Sequence, residues 1–406
     1  MRAAASSIVL PPHRAFTVPR RIIAFILVVV CEFFSSWSWN TVDVLRPQIK
    51  DALDLTLRQA GSAYSAQGLG ALIGALLFGQ IADRIGRRTI LPFLLLGFGL
   101  LLLASLLVTS YAQLLGQRFM LGVCLGGSYP VLVGIYVDLF DQSVRGRLAA
   151  FMLAVFSLSL IAMGWTLSLI PDENWRLMFW IGGIPPIVLA MLVYPAIPRI
   201  VQHTRERIAK LPVTELFSAD LRRQTGLLTL LCGLNFFAYQ AFNGWMTVYL
   251  HDILKYSNAV SGAIVAWQFT GYTLGAFVWG WVADRFGRKR ASLGFILAAT
   301  TIYVFLRAPG DTTLLAAIGF FYGFGLSCSV IWGPWLAEMY PPHLRSTAIS
   351  IFHWGRIVSF IAPLITGFLA EEIGLVWAMM TGSAVFFAAT AIWYLLPETL
   401  AARKPT

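Results

Sequence analysis

Long uncharged apolar runs are the feature of this sequence that most constrains its fold. Two of them, 90–117 and 375–397, contain no Asp, Glu, Lys or Arg, and a helix needs about 20 apolar residues to cross a bilayer. Charged residues make up 12% of the chain, whereas soluble domains carry about 25%. The length of 406 residues accommodates roughly 12 such helices with short loops. The sequence therefore predicts an all-α membrane protein with 12 transmembrane helices, and it argues against an ordinary soluble enzyme.

The positive charge is distributed unevenly between the predicted loops. The net charge of +11 would by itself suit a nucleic-acid-binding protein. However, 22 of the 30 Lys and Arg residues fall in the two tails and the even-numbered loops, and six fall in the odd-numbered loops. By the positive-inside rule, this bias places both termini in the cytoplasm. Topology thus explains the basic excess, and we expect no nucleic-acid partner.

The chain also repeats itself at an offset of about 200 residues. Transporters are often built from such repeats, with the substrate site near the membrane midplane between them. The matched positions include Gly70/Gly271, Gly74/Gly275, 82–84/283–285, Asp138/Glu338 and Arg145/Arg345. We therefore predict two homologous six-helix halves. The predicted segments are a cytoplasmic N-terminal tail (1–21), an N-terminal bundle (22–197), a cytoplasmic connecting loop (198–222), a C-terminal bundle (223–397) and a C-terminal tail (398–406).

Several motifs resemble signatures of the major facilitator superfamily. The segments 79–88 and 280–289 resemble the two copies of its charged loop motif, and 118–126 resembles its fourth-helix motif. The Pro-Glu-Thr at 397–399 also resembles an ending found in that family. The resemblance covers nearly the whole chain, and it implies the major facilitator fold and transport by alternating access.

Other segments resemble particular branches of that superfamily. The segments 244–250 and 355–363 resemble the metabolite and aromatic-acid:proton symporters, which take up organic anions with protons. Where the aromatic-acid branch usually has paired aspartates on helix one, this chain has Glu32 and then Asp43. Sugar porters share the acid-to-arginine signatures, but their double glutamine on helix seven is reduced here to Gln240.

No motif indicates catalysis. The sequence has no Walker loop for ATP, no Cys/His spacing for a metal and no Gly-x-Ser-x-Gly nucleophile elbow. We therefore expect a protein that is not an enzyme, holds no cofactor or metal, and uses a proton gradient as its energy source.

Two ionisable residues inside the predicted spans are candidates for proton coupling. Such groups are costly in a bilayer and usually mark pathways or relays. Glu32 lies roughly 15 Å into helix one and Arg118 roughly 10 Å into helix four, so their depths are compatible with contact. A carboxylate that gains and loses an arginine partner can carry a proton. A static ion pair and a role in substrate polarity remain alternatives for Glu32.

Arg356 is the second arginine inside a predicted span, and it is a candidate anchor for a substrate carboxylate. A guanidinium binds a carboxylate through two parallel hydrogen bonds. His353 precedes it on the same helical face, and histidine titrates near physiological pH, which suits proton coupling. The alternatives are a structural role for Arg356 through neighbouring backbone groups and a hydrogen-bonded structural role for His353.

A polar stripe on helix seven and aromatic residues on helices one and ten complete the predicted substrate site. Polar stripes in lipid must face protein or water, and aromatic walls suit a planar or partly apolar substrate. Packing within the bundle is the alternative role for both sets. The predicted substrate-binding residues are Arg356, Tyr239, Gln240, Asn243, Asn235, Trp37, Asn40, Trp332 and Trp335.

The charged loop motifs suggest a conformational latch. Asp83 closes the second helix and is placed to accept hydrogen bonds from the positive N-terminal end of helix eleven. Only a network of this kind would bias the conformational states, because exposed ion pairs contribute about 0–1 kcal/mol each. The same arginines also fix topology. The predicted latch residues are Asp83, Arg87, Arg88, Asp138, Arg145, Asp284, Arg288, Glu338 and Arg345.

The sequence as a whole predicts a secondary active transporter that moves a small organic acid with protons. A proton-coupled exporter, a sugar or polyol carrier and a membrane receptor or scaffold are the alternatives. The predicted partners are an organic anion, protons and the lipid bilayer. We expect a monomer in a bacterial inner membrane.

Overall fold

The computed structural model describes residues 17–198, 214–341 and 344–400. The side chains of several helical residues also lie outside the description, including three that the sequence analysis singles out: Asp83, Arg345 and His353. The predictions made for these three side chains therefore remain predictions.

The described residues form α-helices, short 3-10 helices and one π turn, and they contain no strand. The helices of the first half are α1 (Val18–Val44), α2 (Arg46–Ala52), α3 (Leu57–Ile85), α4 (Arg87–Ala104), α5 (Tyr111–Leu139), α6 (Gln142–Leu169) and α7 (Leu177–Ala196). Those of the second half are α8 (Arg222–Val248), α9 (Asn258–Phe286), α10 (Leu293–Arg307), α11 (Thr312–Leu326), α12 (Trp332–Met339), α13 (Arg345–Ile373) and α14 (Leu375–Leu395).

Local sequence signals set several of the helix ends. Thr56 and Gln59 form a capping box at the start of α3, which satisfies backbone N–H groups that have no partner within the helix. Gly86 and Gly287 end α3 and α9 with φ values of 95° and 110°. Only glycine adopts such a backbone conformation readily, so the repeated loop motif requires glycine at this point in both halves.

Ten helical segments of the described chain are long and apolar enough to cross a membrane. One of them contains both α11 and α12, which are separated only by the 3-10 helix Ser327–Ile331. The helices α9 and α13 are each 29 residues long and carry polar residues that contact the other half, such as Asn258 and Glu371. With these two, the bundle has six long helical segments in each half, and the predicted all-α fold is confirmed.

The two halves repeat the same close helix contact. A Cβ atom added to Gly70 or Gly122 would collide with backbone atoms across the α3–α5 interface, and one added to Gly271 or Gly323 would do so across the α9–α11 interface. The offset between these glycine pairs is again 201 residues. The repeated glycines therefore let one pair of helices in each half approach at backbone distance.

The two ends of the bundle differ. At one end, called here the tail end, α1 begins and α14 finishes. At the other end, called the sealed end, contacts join the two halves through α1 and α8, α3 and α13, and α6 and α9. Several hydrogen bonds and an ion pair cross between the halves in the part of the bundle toward the sealed end.

At the α6–α9 crossing the two halves approach each other at backbone distance. A Cβ atom added to Gly164 would lie 2.6 Å from the carbonyl oxygen of Gly262 and 2.7 Å from the backbone nitrogen of Ala266. Both groups are backbone, so neither can move aside by a rotamer change. The seal therefore depends on the absence of side chains at this crossing.

We expect Gly164→Ala to shift the protein away from the sealed conformation. Overpacking typically costs about 1–3 kcal/mol, which corresponds to a population shift of roughly five- to a hundredfold. Distances between spin labels on the two halves at the sealed end measure this shift. Gly116→Ala is the matched control because a Cβ atom there meets nothing within 4 Å. An unchanged distance distribution in Gly164→Ala would show that the crossing does not control the seal.

Candidate functional site

A cavity lies between the two halves, below the sealed end. Helices from both halves enclose it: α1 and α6 from the first, and α8 and α9 from the second. Its lining residues are Asn40, Asp43, Val44, Leu160, Asn243, Met246, Thr247, Val265 and Phe269. The lining mixes amide, carboxylate and apolar side chains from both halves.

A buried hydrogen-bonded cluster closes the cavity toward the sealed end. Asp43 accepts hydrogen bonds from Arg46 on its own half and from Gln240 on the other, the latter at 2.9 Å. Arg46 also donates to the carbonyl oxygen of Gly244, and its guanidinium lies 4.6 Å from the centre of the Trp245 ring. Asp43 and Arg46 are 4% and 1% exposed, so the pair is shielded from water. This cluster, called here the sealed-end cluster, connects α1 to α8.

We expect Gln240→Leu to destabilise the closed cavity moderately. The change leaves one carboxylate oxygen of Asp43 without its donor, and a buried unsatisfied polar group costs about 1–3 kcal/mol. Thermal unfolding in detergent measures the loss. Gln80→Leu is the control, because Gln80 is exposed. Equal melting temperatures for Gln240→Leu and the wild type would contradict the role given to this hydrogen bond.

Arg118 lies close to the sealed-end cluster but outside its hydrogen bonds. Its side chain is 0% exposed, and its three side-chain nitrogens have no hydrogen-bond partner among the described residues. It interacts electrostatically with Asp43, and its guanidinium is 5.9 Å from the centre of the Phe179 ring. The contact with Glu32 that their depths allowed is therefore not made. Arg118 faces Asp43 because the two lie at the same level of the bundle.

A second charged group lies nearer the tail end. Glu32 is 6% exposed, and one of its carboxylate oxygens accepts a hydrogen bond from Ser36 at 3.4 Å, while the other has no partner. Its electrostatic partner is Arg356, which belongs to the opposite half. Tyr129 interacts with both charges. We call Glu32 and Arg356 the tail-side pair, and Tyr129 is the tyrosine that interacts with both members.

The two charged groups are separated along the bundle. Glu32 and Asp43 are 11 residues apart on α1, which is roughly 16 Å along the helix axis. Arg118 and Tyr129 have the same spacing on α5. The bundle thus has an acid and an arginine at each of two levels, and of these charged residues Asp43 lines the cavity.

Arg356 differs from the other site arginines in its surroundings. It has no hydrogen bond or ion pair among the described residues, and its guanidinium carbon lies 6.0 Å from the centre of the Phe236 ring. Its side chain is partly exposed. A guanidinium in this state can accept a carboxylate without breaking an existing contact.

The polar stripe predicted on helix seven lies on α8 and faces the cavity in part. Asn243 donates to the hydroxyl of Tyr239 at 3.0 Å and accepts from Gln268 at 2.5 Å. On α1, Asn40 lines the cavity and donates to the carbonyl oxygen of Ser36. These amides place donors and acceptors on both sides of the cavity.

The other predicted substrate residues lie elsewhere. Trp37 donates to the carbonyl oxygen of Met178 at 3.2 Å, which is a contact within the first half. Trp332 and Trp335 are buried in the second half, where they pack against Trp393. Asn235 is 5% exposed and is not among the residues lining the cavity. For the tryptophans, packing within a half is the role that the geometry supports.

Of the predicted latch residues, those with described side chains make contacts within their own half. Arg87 donates to Asp138 at 2.5 Å, whereas Arg88 donates to the carbonyl oxygen of Tyr194. Arg145 donates to the carbonyl oxygen of Phe140 at 3.0 Å. The proposed mechanical role of these residues concerns the state closed at the tail end, so it stays a prediction.

The second half repeats this arrangement and extends it. Arg288 binds Asp284 and Glu338, each at 2.7 Å. Glu398 accepts hydrogen bonds from the backbone N–H groups of Arg288 and Lys289, both at 2.9 Å. Burial raises the pKa of Glu398, but hydrogen bonds from backbone N–H groups lower it by a larger amount. The pKa of Glu398 is therefore below its ordinary value. The ionised carboxylate of the Pro-Glu-Thr segment therefore binds the backbone that leads into α10.

Three site residues were not among those predicted from the sequence. Asp43 and Arg46 carry the sealed-end cluster, and Gln268 binds Asn243. Asp43 was visible as the acid that follows Glu32 on helix one. Gln268 was visible as the repeat partner of Gln67, which itself donates to the carbonyl oxygen of Trp39 at 2.9 Å.

The chain is similar to known proteins along most of its length. The profile of the Major Facilitator Superfamily matches residues 28–267 and 228–406. A cis,cis-muconate transport protein of Acinetobacter baylyi is 30% identical over 362 residues, covering 83% of this chain and 85% of that protein. A probable 4-methylmuconolactone transporter of Cupriavidus pinatubonensis is 27% identical, covering 90% and 89%. Among solved structures, an inward-facing bacterial homologue of the human lysosomal transporter Spinster superposes with a TM-score of 0.80 at 14% identity, covering 94% of this chain and 97% of that one.

Proposed function

Because the chain belongs to the major facilitator superfamily of membrane transporters, we propose that it moves a small organic acid together with protons by alternating access. The observation that carries this proposal is the tail-side pair. Arg356 has no hydrogen bond among the described residues, and it interacts across the halves with Glu32. Arg356 can bind an anion, and Glu32 can gain or lose a proton. The two groups are placed so that the charge of each affects the electrostatic environment of the other.

The orientation of the chain follows from its loops. Most Lys and Arg residues lie in the tails and in the loops at the tail end, so we assign the tail end to the cytoplasm of a bacterial inner membrane. In this orientation, the sealed end closes the cavity toward the outside. The protein works as a monomer with the proton gradient as its energy source.

Loading begins when the cavity opens to the outside. A proton on Glu32 neutralises its carboxyl group and removes its attraction for Arg356. The guanidinium is then free to bind the substrate carboxylate through two hydrogen bonds. Proton binding and anion binding therefore support each other, and the affinity for the anion increases as the external pH falls.

Release reverses these steps at the cytoplasmic side. The proton leaves Glu32 at the higher cytoplasmic pH, and the ionised carboxylate again attracts Arg356. The substrate carboxylate then competes with Glu32 for one guanidinium and dissociates. This competition couples the proton to the anion without any contact between them.

We propose that the transported acid has a planar or partly apolar body, for which side chains between the halves provide contacts. Leu160, Met246 and Phe269 provide apolar contact area, and Asn40 and Asn243 provide hydrogen-bonding groups. The relatives support this class, since one is named for cis,cis-muconate and another for 4-methylmuconolactone.

Uptake into proteoliposomes with an imposed pH gradient tests the proposal. We expect radiolabelled cis,cis-muconate or a related carboxylate to accumulate when the outside is acidic, and a protonophore to abolish the accumulation. Liposomes without protein are the control. A proton antiporter would be driven in the opposite direction, a sugar or polyol carrier would move neutral solutes instead, and a receptor would give no uptake in either direction.

A further inference from the structure

A charged cluster joins the two halves on the surface of the sealed end. Lys50 and Asp51 belong to α2 of the first half, and His251 and Asp252 belong to the π turn Tyr249–Ile253 of the second half. The imidazole Nδ1 atom of His251 lies 2.8 Å from Asp252 and 3.8 Å from Asp51. The Nζ atom of Lys50 lies 2.5 Å from Asp51 and 3.2 Å from Asp252. The cluster is separate from the cavity and from the sealed-end cluster beneath it.

The charge of this group is unbalanced when the histidine is neutral. Two carboxylates then face one ammonium group, and protonation of His251 brings the total to zero. Among the described residues, the charged groups recorded in contact with His251 are Asp51 from α2 and Asp252 from its own turn; α8 and α9, which pack against the turn, contribute none. The imidazolium would add an attraction to Asp51, which belongs to the opposite half.

The cluster suits a proton better than a metal ion. His251, Asp51 and Asp252 bring their ligand atoms within 4.8 Å of one another, but the ammonium of Lys50 already contacts both carboxylates. Burial lowers the pKa of Lys50, and its contacts with Asp51 and Asp252 raise it overall. Lys50 therefore remains charged and occupies the place a cation would take.

We infer that His251 is a proton-sensitive latch of the sealed end, and that its protonation from the sealed side stabilises the sealed conformation. The side chain of His251 is 35% exposed, so protons reach it directly. The ordinary range in which a histidine side chain changes its charge is pH 5 to 8. In a proton-driven carrier, such a latch would favour closure of the outer entrance when the external pH is low.

Distances between spin labels measure this latch without any substrate, so the result does not depend on the proposed transport activity. One label replaces exposed Thr109 at the sealed end of the first half, and the other replaces exposed Thr313 at that end of the second. The four native cysteines are replaced first. On lowering the pH from about 8 to about 5.5, we expect the ratio of sealed to open conformations to rise roughly two- to fivefold, the size expected for a partly exposed ion pair.

The variants separate this latch from any other titrating groups, because Glu32 and Asp43 are present unchanged in every variant. His251→Gln and Asp51→Asn should each reduce the pH-dependent rise, since each removes one side of the contact between the halves. Asp54→Asn, just after α2, is the control. Asp54 has no ion pair with His251, and asparagine tolerates its positive φ of 49°. If His251→Gln and the wild type show the same pH dependence, or if the wild type shows none, the inference is wrong.

Discussion

Arg356→Gln is expected to weaken the binding of an acid substrate by at least about tenfold. Removing one partner of a buried hydrogen-bonded charge pair costs about 2–5 kcal/mol, and about 1.4 kcal/mol corresponds to a factor of ten. The loss should be large because no other described cation in the tail-side pair can replace the guanidinium. Titration of the purified protein in detergent with the transported acid measures the change.

Two further variants make the result specific. Arg356→Lys should restore only part of the affinity, because an ammonium group keeps the charge but not the planar pair of donors. Arg307→Gln is the matched control, since Arg307 is exposed at the end of α10 and contacts Tyr303. Binding at wild-type strength by a well-folded Arg356→Gln protein would transfer the anchoring role to Arg118 or indicate a neutral substrate.

The fold was predictable from the sequence because its main determinants are local. Uncharged runs of bilayer length predict helices regardless of their neighbours, and the repeated glycines at Gly70 and Gly271 predict equivalent packing in the two halves. The two-half membrane fold was predicted in this way, the superfamily was predicted from the resemblance of the loop and helix motifs, and both are confirmed. The break between α11 and α12 was not predicted, because a short 3-10 segment leaves the apolar pattern unchanged.

The site was predictable only as a set of residue types at approximate depths. The cost of burying a charge singled out Glu32, Arg118 and Arg356, and all three lie buried or partly buried between helices. Which acid meets which arginine depends on the rotation of each helix and on how the halves dock. Neither quantity is encoded in spacing along one chain segment. For this reason the sequence could not show that Glu32 interacts with Arg356 and not with Arg118.

The aromatic residues show the same limit. A tryptophan on helix ten fits a cavity wall and a packed interior equally well by its composition. In the structure, Trp332 and Trp335 pack against Trp393 inside the second half. Only the direction of each side chain decides between the two roles, and an apolar helix gives no polar face from which that direction could be read.

Glu32→Gln is expected to abolish pH-driven accumulation while leaving exchange of substrate down its gradient measurable. Glutamine has the shape of a protonated glutamate but cannot release a proton, so it resembles the loaded state of Glu32 at every pH. Arg356 would then remain free to bind the anion at high pH as well as at low pH. The apparent affinity for the acid should fall with rising pH in the wild type, and it should be less sensitive to pH in the variant.

Uptake and counterflow in the same proteoliposomes separate these effects. Counterflow requires no net proton movement, so it should persist in Glu32→Gln when uptake driven by an acidic exterior is lost. Glu372→Gln is the matched control, because Glu372 is an exposed carboxylate at the end of α13. If Glu32→Gln accumulates substrate like the wild type and Asp43→Asn does not, the coupling acid belongs to the sealed-end cluster. Asp43 would then exchange its proton against Arg46 and Arg118, and the interaction of Glu32 with Arg356 would only hold the two halves together.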